Sequence, residues 1–333
     1  CSSGAEVDSL SHLATVAECY DRAAFLPGLS AMHNNRGRVA MKRGDWAGAV
    51  QCFDTAVQIQ NKVGNYFQLV LSFGYMSRAY RKQGRYKETW TSLERGSKYL
   101  DMIRDSWGKI FYHTEQAAFL LDVGEVVEAE NALMLAEILA AESEFKREQV
   151  HIQYQNARLL YYKHHLQDGY RLAKTSEEAY RTVGGTDDIV RARLLRTKFA
   201  IKGQDVERAA ELLDEIHDDI KKTSDPWLLA RYHRMMGEVM MNRKEPVEST
   251  IFHLNEAVNI SRNFGLRMEE LLVSALLLDA IPAGKHQGLL QQRTRAIPEI
   301  LDFFREEVPK RYWRQFQLRE DVHGIVQLVE DSK

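Results

Sequence analysis

The sequence predicts an all-α solenoid, and three observations carry that prediction. Eight positions recur at a fixed interval of 40 residues: Gly4, Gly44, Gly84, Gly124, His164, Gln204, Lys244 and Gly284. Five of them are glycine, although only 20 of the 333 residues are, so the glycines are placed by the period and not by abundance. Glycine at constant spacing inside helical sequence marks the point where one helix ends and the next begins. A period between about 20 and 50 residues is the mark of stacked supersecondary units. Second, the residues after the glycines have helical spacing: Trp46, Ala49, Phe53 and Ala56 after Gly44, and Val126, Ala129, Leu133 and Ala136 after Gly124. Positions i, i+3, i+4 and i+7 share one face of an α-helix. Third, a helix-length segment precedes each glycine, as in Leu29–Arg43, Phe67–Gln83 and Trp107–Val123.

The unit is therefore helix, tight turn, helix, tight turn. In the first unit the run Asn35–Arg36–Gly37, Ala40, Gly44–Asp45–Trp46, Ala49, Phe53, Ala56 resembles a tetratricopeptide repeat. That resemblance implies a right-handed superhelix of about seven helical hairpins whose job is binding. The second unit keeps Tyr80, Gly84 and Tyr86, and the third Ala117, Gly124, Ala129 and Ala136. The fourth, Ala157 to Ser176, is degenerate, with His164 in place of the turn glycine and Gly169 in place of the alanine. The fifth carries Ala209 and Leu213 and is expected to shift its glycine one place early, to Gly203. The sixth has Gly237, Ala257 and Pro246 near the turn, and its second helix reads one residue out of phase. Met268–Ala280 and Gly288–Phe304 make a seventh hairpin, the latter interrupted by Pro298. The 40-residue period exceeds the family's usual length of about 34 and is similar to the long repeats of kinesin light chains, animal polarity adaptors and bacterial signalling ATPases. Residues 1–26 then form a partial first repeat, 27–306 the array and 307–333 a C-terminal capping segment, with Tyr312, Trp313 and Phe316 plugging the exposed end. Ala49, Ala129, Ala136 and Ala209 are expected at close helix–helix contacts.

Composition bounds the function. No apolar run approaches the roughly 18 residues that a membrane span requires. Cys1, Cys19 and Cys52 have no metal-ligand spacing, and an odd number of cysteines favours a reducing, cytoplasmic compartment. The N-terminus has two readings: Cys1–Ser2–Ser3–Gly4 resembles the mature start of a membrane-anchored bacterial lipoprotein, whereas the in-phase Gly4 suggests a fragment of a longer protein with further domains. HExxH, GxSxG, P-loop and dinucleotide motifs are all missing from the sequence. His164–His165 falls in a turn, and His217–Asp218–Asp219 reads as a solvated acidic face between Ile216 and Ile220. The expectation is a non-enzyme with no cofactor and no metal.

The informative polar signal is how charge divides between the two helices of each hairpin. Pro27–Arg43, Phe67–Gln83 and Ile189–Lys202 carry bases and no acid, while Glu125–Glu144 carries six acids and no base. The net charge of −2 conceals this segregation. Superposing the units makes Arg38, Arg78, Arg158 and Lys198 equivalent, as are Lys42, Lys82 and Lys202, with Ala118 and Glu238 interrupting the first row. The family resemblance implies that first helices line the concave groove. Asn34, Arg38, Lys42, Arg78, Lys82, Tyr154, Arg158, Lys198, Lys202 and Arg234 are then the candidate partner-binding residues, the four of the first row facing solvent. Stacked like charges repel unless an anion binds, so the expected partner is an acidic peptide or protein segment. A sensor module of a longer signalling protein is the alternative. An RNA-binding solenoid ranks last, because base-reading arrays use another period, and nucleic acid is not the expected partner.

Overall fold

Every forty residues the backbone turns left-handed. In the computed structural model, which describes residues 15–16, 18–20, 25–282 and 284–331, positive φ occurs at Gly44 (77°), Gly84 (79°), Gly124 (81°), His164 (59°), Gln204 (61°), Lys244 (55°) and Gly284 (84°). Gly4, Cys1 and most of the expected partial repeat lie outside the described residues. The fifth turn corrects a sequence expectation: Gly203 has an ordinary φ of −78°, and Gln204 itself adopts the left-handed conformation. The period outranks residue type, because the turn geometry is imposed by the stack and a non-glycine tolerates it at a cost of about 1–2 kcal/mol.

The helices start with the same regularity. First helices are α1 (Leu26–Lys42), α3 (Tyr66–Gln83), α5 (Ser106–Asp122), α7 (Lys146–Tyr162), α9 (Thr186–Lys202), α12 (Pro226–Asn242) and α14 (Arg267–Ala280). Second helices are α2 (Trp46–Val63), α4 (Tyr86–Ser97), α6 (Val126–Ala141), α8 (Leu166–Val183), α10 (Val206–Glu215) with the short α11 (His217–Ile220), α13 (Val247–Asn263) and α15 (Gln287–Glu307). The one-residue slip in the sixth unit is real. Glu245–Pro246 stands where the other turns have a single residue before the helix, so α13 and α14 begin one place late. Side chains cap several starts: Asp45 accepts from the Gly48 amide (2.9 Å) and Asn65 from that of Gln68 (3.1 Å). Such caps satisfy amides that a helix start leaves unpaired. Pro298 does not interrupt the last long helix, since α15 runs through it. The described residues contain no strand.

Packing follows the expected faces. Ala49, Ala129, Ala136 and Ala209 are fully buried, each letting a neighbouring helix approach. Gly37 and Gly169 serve the same purpose, because a Cβ there would meet Phe53 and Phe199 at 2.5 Å and 2.2 Å.

The coil then closes on itself. The Trp46 indole N–H donates to the Phe264 carbonyl (2.6 Å), joining the first hairpin to the sixth. Lys82 pairs with Asp225 (2.5 Å) and lies 5.5 Å from the Trp46 ring and 5.3 Å from that of Trp227. Tyr86 stacks on Phe304 of the seventh hairpin, centroids 5.8 Å apart. The C-terminal segment, α16 (Trp313–Leu318) and α17 (Glu320–Glu330), reaches further than an end plug. Tyr312 packs edge-on against Trp90 and Phe119, and Arg319 donates to the Asp122 carbonyl. These aromatics are buried against the second and third hairpins because the coil returns to them.

Three substitutions test this register in urea unfolding. Gly124→Ala places a Cβ 2.6 Å from the Gln315 carbonyl at positive φ and should cost more than about 1 kcal/mol. Gln204→Gly removes left-handed strain and should be neutral to about 1 kcal/mol stabilising. Ala129→Leu should overpack and destabilise by about 1–3 kcal/mol. Unchanged stability in both Gly124→Ala and Ala129→Leu would contradict the register.

Candidate ligand cavity inside the coil

All seven first helices turn side chains onto one cavity of about 180 Å³. That is below the roughly 300–1,000 Å³ of pockets that enclose drug-sized ligands. Of the ten residues singled out in the sequence, the cavity brings together eight: Arg38, Lys42, Arg78, Lys82, Tyr154, Arg158, Lys198 and Arg234. Asn34 sits instead between packed helices, 4% exposed, where its amide donates to Gln68 (3.2 Å) and its oxygen accepts from Ser72 (2.8 Å). Lys202 lies beyond the lining, ion-paired with Glu320 and with its ammonium 4.6 Å from the Tyr161 ring centre.

Solvent-facing rungs were the expectation, and only Arg38 meets it among the four equivalent residues. Arg38 touches Asn35 (3.4 Å) and the Tyr75 ring. The other three are half-buried and engaged with carboxylates. Arg78 grips Glu115 with two nitrogens, at 3.1 Å and 2.5 Å. Arg158 reaches Asp122 at 2.5 Å, and Asp122 also takes Arg81 at 2.8 Å. Lys198 approaches Asp321 at 3.6 Å. The physical reason is that carboxylates from neighbouring helices reach in among these cations. Asp122 bridges α3 to α7, while Glu269 takes Arg231 (2.6 Å) and Arg234 (2.9 Å) of α12. Stacked bases are tolerated because carboxylates are interleaved among them.

Sequence reading missed these acids, though part of the signal was there. Asp122 occupies the very rung of Lys42, Lys82 and Lys202, a sign reversal in the second row. Asp187 and Asp188 fall in the first turn of α9, immediately ahead of the acid-free stretch Ile189–Lys202, and Asp225 caps α12.

The pairing is incomplete. Eleven lysines and arginines line the cavity against five carboxylates, Asp122, Asp187, Asp225, Glu269 and Asp321. Glu115, Asp188 and Glu238 reach lining cations from behind, which still leaves three more cations than carboxylates. The ionisation equilibria register the crowding. Burial, reinforced by Arg231, Arg234 and Arg319, pushes the Lys198 ammonium down to about 8 despite Asp321. Burial also lowers Lys82, against the pull of Asp225. Burial would raise Asp122, but Arg158 and Arg81 bring it down to about 2. Glu115 is likewise held well below the usual carboxylate range by Arg78. No cluster of three or more histidines, cysteines and acids suited to a metal occurs among the described residues, and none of their helices is long and apolar enough to cross a membrane.

Known proteins agree with this architecture. Residues 28–88 match the tetratricopeptide repeat family. The fold resembles a Rap protein complexed with Competence and Sporulation Factor: 13% identity, TM-score 0.67, covering 86% of this chain and 81% of that one. It also resembles a signal transduction ATPase with numerous domains and a tetratricopeptide repeat sensor, from Pyrococcus horikoshii, at 12% identity and TM-score 0.59. That match takes in 98% of this chain but 54% of the ATPase, so this chain spans about half its length. The apo form of RapI is similar at 15% identity and TM-score 0.51, covering 91% of this chain and 85% of that one. No curated protein sequence matches.

The ion-pair reading separates two neighbouring arginines. Arg78→Ala removes both short contacts of the buried Glu115, leaving Arg81 and His151 at 3.9 Å, and should cost up to about 3 kcal/mol, whereas Arg38→Ala should stay within about 0.5 kcal/mol, both read from urea unfolding. Because the Asp122 pKa is depressed, its stabilisation is present above 3.8 and lost as pH falls towards about 2. Asp122→Asn should therefore flatten that part of the acid-unfolding profile.

Proposed function

We propose that this chain, built of tetratricopeptide repeats, is a binding scaffold that takes an acidic peptide or protein segment into its central cavity. The observation that carries this reading is the surplus of cations over carboxylates in a recessed, partly open cavity to which all seven first helices contribute. An anion entering there meets fixed positive charge with reduced screening by water, which favours it more than the same contact at an open surface. The available volume suits one or two acidic side chains as the coil stands; a longer segment requires the coil to open. Recognition proceeds by exchange, the ligand's carboxylates taking over cations now held by Asp187, Asp225 and Asp321. The chain acts by binding and not by catalysis.

Likeness to the ATPase with a tetratricopeptide repeat sensor favours a second reading. Here the chain is the sensing part of a longer signalling protein, and ligand entry alters the closure between hairpins one and six. The two readings share the cavity and differ in what the bound state does next.

Isothermal titration with a synthetic peptide of aspartates and glutamates, beside its asparagine–glutamine twin, tests the shared claim. The acidic peptide should bind and the neutral twin should not. Arg38→Glu with Lys42→Glu changes the two most accessible lining cations and should weaken binding at least roughly tenfold, with helicity retained. An anion restores protonation of Lys198, so affinity should be full below pH 8 and decline as pH rises through the free value of about 8. Affinity should also fall with salt, since the Debye length is about 8 Å at 0.15 M. Equal binding by the double variant, or by the neutral twin, would overturn the proposal.

A further inference from the structure

Second helices hide one face against the array and turn the other to solvent. In α6 both faces are apolar. Ala129, Ala132, Leu133, Ala136 and Ala140 are buried, while Val127 (66% exposed), Met134 (51%), Leu135 (45%) and Ile138 (62%) point outward. Val127, Met134 and Ile138, at i, i+7 and i+11, form one stripe along the helix.

The repeat supplies its own control. Positions equivalent to Val127, Met134 and Ile138 are Lys87, Glu94 and Lys98 in the second unit, Gln167, Lys174 and Glu178 in the fourth, and Glu207, Asp214 and Asp218 in the fifth. The same backbone position thus carries polar side chains elsewhere, so stacking does not require apolar ones here. Single exposed hydrophobes need no explanation, but adjacent ones do: Met134, Leu135 and Ile138 lie within one turn of each other, with Val127 on the same side beyond Asn131.

Charge indicates what covers it. From Glu125 to Glu144 there is no lysine or arginine. Glu130 and Glu137 run along one side of the stripe and Glu128 and Glu142 along the other. Arg311 engages Glu128 and Lys163 engages Glu130, whereas Glu137 accepts from the neutral Asn156 amide. A second copy meeting this stripe about a two-fold axis would bring glutamates against glutamates, and an anionic lipid surface is repelled for the same reason. A helix with an apolar stripe flanked by lysine or arginine satisfies both the packing and the charge.

We infer that the convex face of α6 is a docking site for a cationic amphipathic helix of a partner protein, separate from the central cavity. Apolar residues of the partner pack between Val127, Met134 and Ile138, and its flanking cations pair with Glu137 and Glu142. No residue of α6 lines the cavity, so one scaffold has room for two partners of opposite charge.

The probe is a synthetic amphipathic helix with a leucine stripe and lysine flanks, compared with a twin carrying glutamate flanks. Methyl NMR should show shifts concentrated at Met134 and Ile138 with the lysine peptide and none with the twin. Met134→Glu with Ile138→Lys installs side chains that the second unit already carries at these positions, so folding is retained. Binding of the lysine peptide should then drop at least roughly tenfold. Equal binding by the double variant, equal binding by the glutamate twin, or methyl shifts centred elsewhere would each overturn the inference. So would sedimentation showing a dimer of the chain that the double variant dissociates, since the stripe would then be covered by a second copy.

Discussion

A left-handed residue at the end of each first helix constrains everything that follows it. It sends the chain back at the same angle forty residues later, whether the position holds glycine, as at 44, 84 and 124, or His164, Gln204 and Lys244. Because each hairpin then meets the next in the same way, small rotations add up along the array. After six hairpins they bring Phe264 to Trp46 and Phe304 to Tyr86. The coil closes without a long connection or a separate domain, and the contacts of the seam include buried aromatics and a desolvated Lys82–Asp225 pair.

Closure explains the electrostatics. On an open solenoid the lysines and arginines of the first helices would be wet and cheap to keep. Folded into a closed coil, they are drawn together around a small cavity, and desolvation lowers Lys82 and Lys198. The carboxylates of Asp122, Glu115 and Glu269 answer this by bridging successive first helices. Such buried pairs add little net stability, yet removing one partner is expensive, so they hold neighbouring hairpins in register. The cations left over are what the cavity offers to a ligand. The outer surface answers to different pressures, and there α6 departs most from the polar pattern of its equivalents, with Val127, Met134, Leu135 and Ile138 exposed.

How much of this was legible in the sequence depends on range. Short-range rules located the helices almost to the residue, because turn position, alanine spacing and the slip at Pro246 are local signals. They misplaced the fifth turn by trusting glycine over the period at Gly203, and they broke the last long helix at Pro298, where packing carries it through. Long-range facts were hidden. Nothing in the spacing of Tyr312 and Phe316 says that Tyr312 meets Trp90 and Phe119 or that Phe316 meets Tyr86, about two hundred residues earlier. The row of bases was readable, but its counter-charges were not, since Glu115 and Asp225 matter only once neighbouring helices and the two ends of the array lie side by side.

Closure of the coil is tested most directly by small-angle X-ray scattering from the chain in solution. A closed coil gives the profile of a compact particle in which the seventh hairpin touches the second and the sixth touches the first. A profile of an elongated solenoid, with a maximum dimension set by hairpins stacked end to end, would contradict it, and the cations would then line an open face instead of a cavity.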